Sequence, residues 1–308
     1  MAVDRGEYRV GRRLAGTSRR LGFAVVAATY LSAGAAAWGV AVAVRGQHPL
    51  VVTLWADLVA TAVVFAMSMA VGNSSLYDPY WSVAPAVIVV AWVVWSSDAA
   101  VSGRQWSVVV LVLIWAIRLT ANWASSWRGL SHEDWRYVRI RAETAGRLPW
   151  WLVSLTGIQL VPTFVVFAGL LAVWPAVAVP GAPLGPLDAA AAVVTAGAVA
   201  IEAVADRQLR RFARDPANRG RVADRGLWRY SRHPNYLGEI AFWWGLWLFG
   251  LAAAPAWWWT VAGPVTMVLL FTFVSVPMMD RRSLERRPAY ADHMRRVPAL
   301  LPLPHPRG

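Results

Sequence analysis

Arg232-His233-Pro234-Asn235-Tyr236-Leu237-Gly238-Glu239, followed by an almost wholly apolar run to Ala254, is the stretch from which the fold can be read. Proline has no backbone N–H to donate and a φ already set for helix, so Pro234 predicts a helix beginning there, with Ser231 to His233 leading in. The apolar run is long enough to cross a bilayer. Asn235 and Glu239 are four residues apart and project from one side. With Arg229 and Arg232 just before the helix, they form a place to hold an anion at a membrane boundary. A basic stop at the end of a transmembrane helix accounts for the arginines as well. It does not account for Glu239, because a carboxylate inside an apolar helix is expensive and usually has a task.

The rest of the chain has the same character. Of 308 residues, 57% are hydrophobic, and mean hydropathy is +0.43, which places the chain among multi-spanning membrane proteins. There is no cysteine, which excludes disulfides, thiolate metal sites and cysteine nucleophiles. All 30 basic residues are arginine and the net charge is +13. Apolar windows fall near 21–44, 50–71, 79–96, 105–127, 149–178, 186–206, 235–254 and 256–277, predicting an all-α bundle of about eight transmembrane helices. The first window is too long for a signal-peptide core and reads as a retained helix.

Arginines set the topology. The N-terminus, the 128–148 and 207–232 loops and the tail after 280 carry 27 of the 30, and Arg45, Arg104 and Arg118 are the exceptions. Eight spans put all four rich segments on one side, so both termini are expected in the cytoplasm. Arg45 and Arg104 then count as the sparse charges of the outer side. The expected organisation is a basic N-terminus over 1–20, a transmembrane half over 21–178 and a second half over 179–308 that holds the site. Pro85, Pro162 and Pro264 are expected to kink their helices, and Trp150, Trp151 and Trp257 to Trp259 suit interfacial belts.

Several charged residues inside or beside the spans are candidates for function. Asp57 suits a proton donor or a substrate ligand, and equally a carboxylate at a water-facing helix end. Asp78 lies where an acid favours a helix start, and the aromatics around it also suit a pocket wall. Trp115, Arg118, Asn122 and Ser125 share one stripe. Ser131 and Asp134 resemble a capping box for a short surface helix. Glu202 and Asp206 lie one turn apart and need a hydrogen-bond donor between them, such as a ribose, an amide or an arginine. Asp215 to Arg221 is turn chemistry carrying positive charge.

Common cofactor motifs are missing. Neither a Walker loop nor a Gly-x-Gly-x-x-Gly fingerprint occurs, the five histidines are scattered without a zinc motif, and no nucleophile elbow is present. What remains is a set of arginines beside Glu202, Asp206, Asn235 and Glu239. Arginine suits phosphate through bidentate bonding, while carboxylates and asparagine suit ribose hydroxyls and amides. That set predicts a pocket for a phosphorylated nucleoside cofactor.

Glu202-x-x-x-Asp206-x-Gln208-Leu209, Asp215-Pro216-Ala217-Asn218-Arg219-Gly220, Gly226-Leu227-Trp228 and the Arg232 to Glu239 run together resemble the steroid 5α-reductase-like membrane proteins labelled DUF1295. The resemblance covers about residues 200–302. It is weaker over 77–141, where Asp78, Trp81, Arg118 and Glu133-Asp134-x-Arg136-Tyr137 carry it, and there is little before residue 70. The Arg232 to Glu239 run is also similar to one found in sterol C14 and C7 reductases. The resemblance implies a seven-helix core, to which one additional N-terminal helix would bring the count to eight. It also implies an oxidoreductase that uses NADPH to reduce a carbon–carbon double bond conjugated to a ketone in a steroid- or terpenoid-like substrate.

Carried over by motif, the resemblance implies that Glu202, Asp206, Asn235 and Glu239 contact the nicotinamide and ribose end of the cofactor. Arg210 and Arg221 would meet its phosphates, with Arg229, Arg232, Tyr236, Tyr290 and Arg295 as further contacts. Glu202 stands where the steroid reductases have asparagine. Their ketone-gripping carboxylate and tyrosine lie in the part that does not align, and Asp57 and Tyr80 are assigned to those roles, with Arg118 beside them. The expected partners are a lipophilic small molecule and the bilayer, without nucleic acid or metal, and the expected location is the cell membrane with the cofactor site facing the cytoplasm. Arg-His-Pro-x-Tyr also occurs in isoprenylcysteine and phospholipid methyltransferases that use S-adenosylmethionine. Those usually add a pair of glutamates after the last helices, where this chain has Glu285 among arginines. A non-catalytic membrane scaffold is the third reading, and it would not need Asn235 and Glu239 on one face.

Overall fold

A computed structural model describes residues 18–96 and 101–301. The basic residues before 18 and those after 301 lie outside it. No strand occurs among the described residues, and eight helices are long and apolar enough to cross a membrane. The chain is therefore a polytopic helical membrane protein. Large apolar side chains such as Leu31, Val193 and Phe273 stand exposed on the helix surfaces. In water that would be a liability, but against lipid it is the expected outer face.

We number the helices α1 (Arg19–Ala43), α2 (Pro49–Val71), α3 (Tyr80–Trp95), α4 (Ser102–Ser126), α5 (Trp135–Thr144), α6 (Trp150–Leu171), α7 (Trp174–Ala178), α8 (Pro186–Arg214), α9 (Pro234–Ala253), α10 (Pro255–Arg286) and α11 (Tyr290–Arg296). All but α5, α7 and α11 are candidate spans, with the α3 span beginning at Ser74. Proline leaves its mark on two of them. In α6 a π-helical stretch, Ser154–Leu160, precedes Pro162, and in α10 another, Phe271–Ser275, precedes Pro277. A wider turn relieves the clash between the proline ring and the carbonyl one turn back. Pro264, expected to kink its span, instead sits in the first turn of the regular segment Ala262–Leu270, after a 3₁₀ stretch, where its missing N–H is not needed.

The chain forms two compact units, and α3, α4 and α6 each contribute to both. The first comprises the described residues up to Ile88 together with Ala116–Phe167. There α1 packs along α2, and Ala33, Ala60, Val64, Tyr77 and Tyr80 form a buried cluster. The segment between α4 and α6 is tied down by polar bonds. Asn73 donates to the carbonyls of Leu130 and His132, and Ser75 Oγ accepts the Asp134 N–H at 2.7 Å. The cap of α5 is Asp134 alone, whose Oδ1 accepts the Arg136 N–H at 2.8 Å, and not the Ser131–Asp134 box. Asp78, just before α3, accepts the Tyr137 hydroxyl at 2.5 Å.

The second unit comprises Val89–Trp115 and Ala168 onward. Helices α8 and α9 pack along each other where glycines let the backbones approach. A Cβ added at Gly238 would lie 2.4 Å from Glu202 Cγ, and one at Gly245 would lie 2.2 Å from Thr195 Oγ1. Arg104 does not face outward as a topological charge. It is buried and bidentate to Asp188, at 2.6 and 2.9 Å, and also donates to the Ala182 carbonyl. This pair staples α4 to the N-terminus of α8.

Candidate functional site

Each unit carries one cluster of the predicted residues. In the first, Asp57 of α2 is buried, and the Tyr80 hydroxyl at the start of α3 donates to its Oδ1 at 2.6 Å. The two residues assigned to the ketone thus form a hydrogen-bonded pair. Asp57 is not a carboxylate at a water-facing helix end. Arg118 is half-buried on α4 in the same unit. Around the pair runs a set of hydroxyls that the sequence reading did not single out, Thr61 and Thr163, with Thr163 Oγ1 2.8 Å from the Tyr77 hydroxyl. Threonines in apolar helices give no period or motif by which to find them.

The second unit holds every residue assigned to the cofactor. Glu202 and Asp206 are buried on one face of α8. Gly238, at the start of the second turn of α9, lies against the Glu202 side chain, which fixes the height at which α8 meets α9. Glu239 is buried too, and two indoles hold it: Trp115 Nε1 donates to one oxygen and Trp243 Nε1 to the other, each at 3.0 Å. Two donors stabilise a carboxylate that the bilayer would otherwise penalise, and a carboxylate has further lone pairs to offer. Asn235 is half-buried in the first turn of α9 and hydrogen-bonds no described residue. Tyr236 stacks on His233 and meets the Phe271 ring at a tilt.

The loop leading into α9 is held against α8. Gly226, with φ of 62°, brings the chain across Gln208, whose Oε1 accepts the Leu227 N–H at 2.9 Å, and Trp228 Nε1 donates to the Ala205 carbonyl. Arg210, Arg221 and Arg229 stand exposed on α8 and this loop, with Arg229 over the Tyr230 ring.

Arg232 behaves differently. Its guanidinium bonds Asp280, at 2.8 Å, and the carbonyls of Met294 and Val297. Asp280 also binds His233 Nε2 at 2.9 Å and the Tyr290 hydroxyl at 2.7 Å. Burial and then the Asp280 carboxylate push the Tyr290 phenol well above its usual range, whereas burial and the nearby Arg232 and Arg296 lower His293. Arg232 and Tyr290 were expected at the cofactor. Here they are spent within the chain, pinning the segment after α10 to the start of α9. Arg295 pairs with Asp292 at the surface. Asp280, the centre of this network, went unassigned in the sequence because an acid before two arginines reads as a solvated pair.

Among the described residues no group of histidine and acidic side chains is arranged to hold a metal. A family model described as "Protein of unknown function (DUF1295)" matches residues 64–297. No curated protein and no solved structure matches the chain.

Proposed function

From its membership of the DUF1295 family, to which the chain belongs over residues 64–297, we propose that this integral membrane protein reduces a carbon–carbon double bond conjugated to a ketone in a lipophilic substrate, with NADPH. The observation that carries the reading is the buried Tyr80–Asp57 pair. A phenol beside a carboxyl group suits an enone carbonyl, because negative charge gathers on that oxygen as hydride adds to the β-carbon. When Asp57 is protonated it donates to Tyr80, which frees the Tyr80 proton for the carbonyl oxygen. Passing that proton on, and taking the one from Asp57, leaves the ionised Asp57 with Tyr80 donating to it. The substrate's enol then tautomerises, losing the proton on oxygen and gaining one at the α-carbon.

The second unit fits the cofactor by its donor set. Glu202 and Asp206 offer acceptors for ribose hydroxyls, Asn235 offers an uncommitted amide for a carboxamide, and the exposed Arg210 and Arg221 offer bidentate donors for phosphates. Bound there, NADPH would supply the hydride. Glu239 contributes to this set through the two tryptophans whose indoles it holds. The Arg-His-Pro-x-Tyr pattern shared with methyltransferases is used structurally here, since Arg232 and His233 bind Asp280.

The reading is tested with purified protein and NADPH, following cofactor fluorescence and the appearance of a product heavier by two hydrogens from a lipid extract or a Δ4-3-ketosteroid. Tyr80→Phe is expected to bind NADPH normally and to lose turnover on the order of 10²-fold. Asp206→Asn combined with Arg210→Ala is expected to lose NADPH binding. Binding of S-adenosylmethionine in place of NADPH overturns the reading.

A further inference from the structure

Helix α8 has 29 residues, a length of about 43 Å at 1.5 Å per residue, whereas the hydrocarbon of a bilayer is about 30 Å thick. Its end therefore projects beyond the lipid tails. Thr195 and Glu202 mark the face of α8 that meets the glycines of α9. Roughly opposite, Val193, Gly197, Ala200 and Val204 are all exposed. They recur at alternating spacings of four and three, the repeat of a single helix face. Continued past Val204, the same repeat falls on Arg207, Arg211 and Arg214, which are exposed as well.

The basic part of this face carries no acid, and none of the three arginines bonds a carboxylate among the described residues. Asp206 is buried on the other side of the helix, and Asp215 is turned to the Ala217 N–H, at 2.9 Å, and the Asn218 amide. The helix dipole favours cations in the last turn, where Arg211 and Arg214 stand. It does not reach Arg207, about two turns from the end, and it is indifferent to which face a cation takes. The positive-inside tendency is equally indifferent to face. A second copy of the chain is the other cover such a face could have. Pairing two copies through it about a two-fold axis along the membrane normal would set like arginines against each other. Phospholipid fits both parts, with tails along Val193 to Val204 and phosphates at the guanidinium groups.

We propose that Arg207, Arg211 and Arg214 bind the phosphates of acidic phospholipids in the leaflet at this end of α8. From the first to the last the helix rises about 10 Å, enough to cross the headgroup layer of one leaflet, roughly 5–8 Å deep. The three guanidinium groups thus stand at successive depths of that layer. A zwitterionic headgroup brings its own cation beside the phosphate, whereas an acidic one brings a net negative charge. A stripe of three arginines without an acid selects the second. Phosphates held there fix the level of α8 in the bilayer, and with it the level of Glu202 and Asp206 on the inner face. The proposal does not rest on the reductase reading.

The test uses full-length protein in nanodiscs made of equal parts phosphatidylcholine and phosphatidylglycerol. After mild detergent extraction, the lipids still bound are identified by native mass spectrometry. Wild type is expected to retain phosphatidylglycerol in preference to phosphatidylcholine. Arg207→Gln, Arg211→Gln and Arg214→Gln combined are expected to reduce that preference by at least about tenfold, since each arginine at a membrane surface contributes roughly a factor of five. Arg211→Gln alone is expected to reduce it severalfold and decides the matter should the triple variant not fold. Arg219→Gln with Arg225→Gln, which removes charge from the following loop and leaves the stripe, is expected to keep the preference. No preference in wild type, an unchanged preference in the stripe variants, or an equal loss in the loop variant overturns the proposal. The native chain has no cysteine, so disulfide cross-linking of two copies through Ala200→Cys would assign this face to a second copy and overturn the proposal as well.

Discussion

At the scale of single residues, Glu239 shows how a membrane helix accommodates a charge. Each oxygen accepts one indole N–H, from Trp115 and from Trp243. Glutamine at this position keeps the shape and one acceptor, but turns an N–H toward the other indole. Glu239→Gln is therefore expected to destabilise the protein by about 1–3 kcal/mol, the cost of an unsatisfied buried donor. Glu239→Leu, which orphans both indoles, should cost more. Thermal unfolding in detergent reads both, and a Glu239→Gln variant as stable as wild type would mean the indoles are not what holds this carboxylate. The sequence made Glu239 conspicuous but could not name its partners, since Trp115 lies 124 residues away. Arg104 was misread for the same reason. Its partner Asp188 stands on another helix 84 residues on, and a lone arginine near a span end looks like a topological charge until the two are seen bonded.

At the scale of elements, the spans were legible because lipid imposes one demand, a long apolar helix, that hydropathy reads directly. Their internal detail was not. Both π-helical stretches sit just before a proline, yet Pro85 lies inside a regular helix, so proline alone does not announce a widened turn. Helix pairing was also hidden, because it depends on which small residue faces which. At Gly245 an added Cβ would meet Thr195 Oγ1 at 2.2 Å and the Thr195 backbone nitrogen at 2.9 Å. The backbone cannot step aside as a side chain can, so α8 and α9 would have to separate. Gly245→Ala is expected to destabilise by about 1–3 kcal/mol through overpacking. Gly34, on α1 with nothing within 4 Å of an added Cβ, is the control. There alanine is expected to be neutral or to stabilise by about 0.5–1 kcal/mol, because it removes backbone freedom from a helix interior. Equal effects at the two glycines would contradict the close approach of α8 and α9.

For the whole molecule, eight spans and the distribution of arginine lead to one orientation. With an even number of spans, the segments after α2, α4, α8 and α10 share a side with the N-terminus. Three of those four carry the arginine-rich stretches, whereas the connections after α1 and α7 hold Arg45 alone. By the positive-inside tendency the first set faces the cytoplasm. The chain has no cysteine, so single cysteines can be placed without background. Gln47→Cys and Ala182→Cys, both at exposed positions, are expected to react with a membrane-impermeant maleimide in intact cells. Ser131→Cys and Ala217→Cys, also exposed, should react only after permeabilisation. The reverse pattern would place Arg210 and Arg221 outside, away from the pool of reduced nicotinamide nucleotide that the proposed reaction consumes. It would leave Tyr80 and Asp57 as they are and remove the reason for assigning them to a reductase.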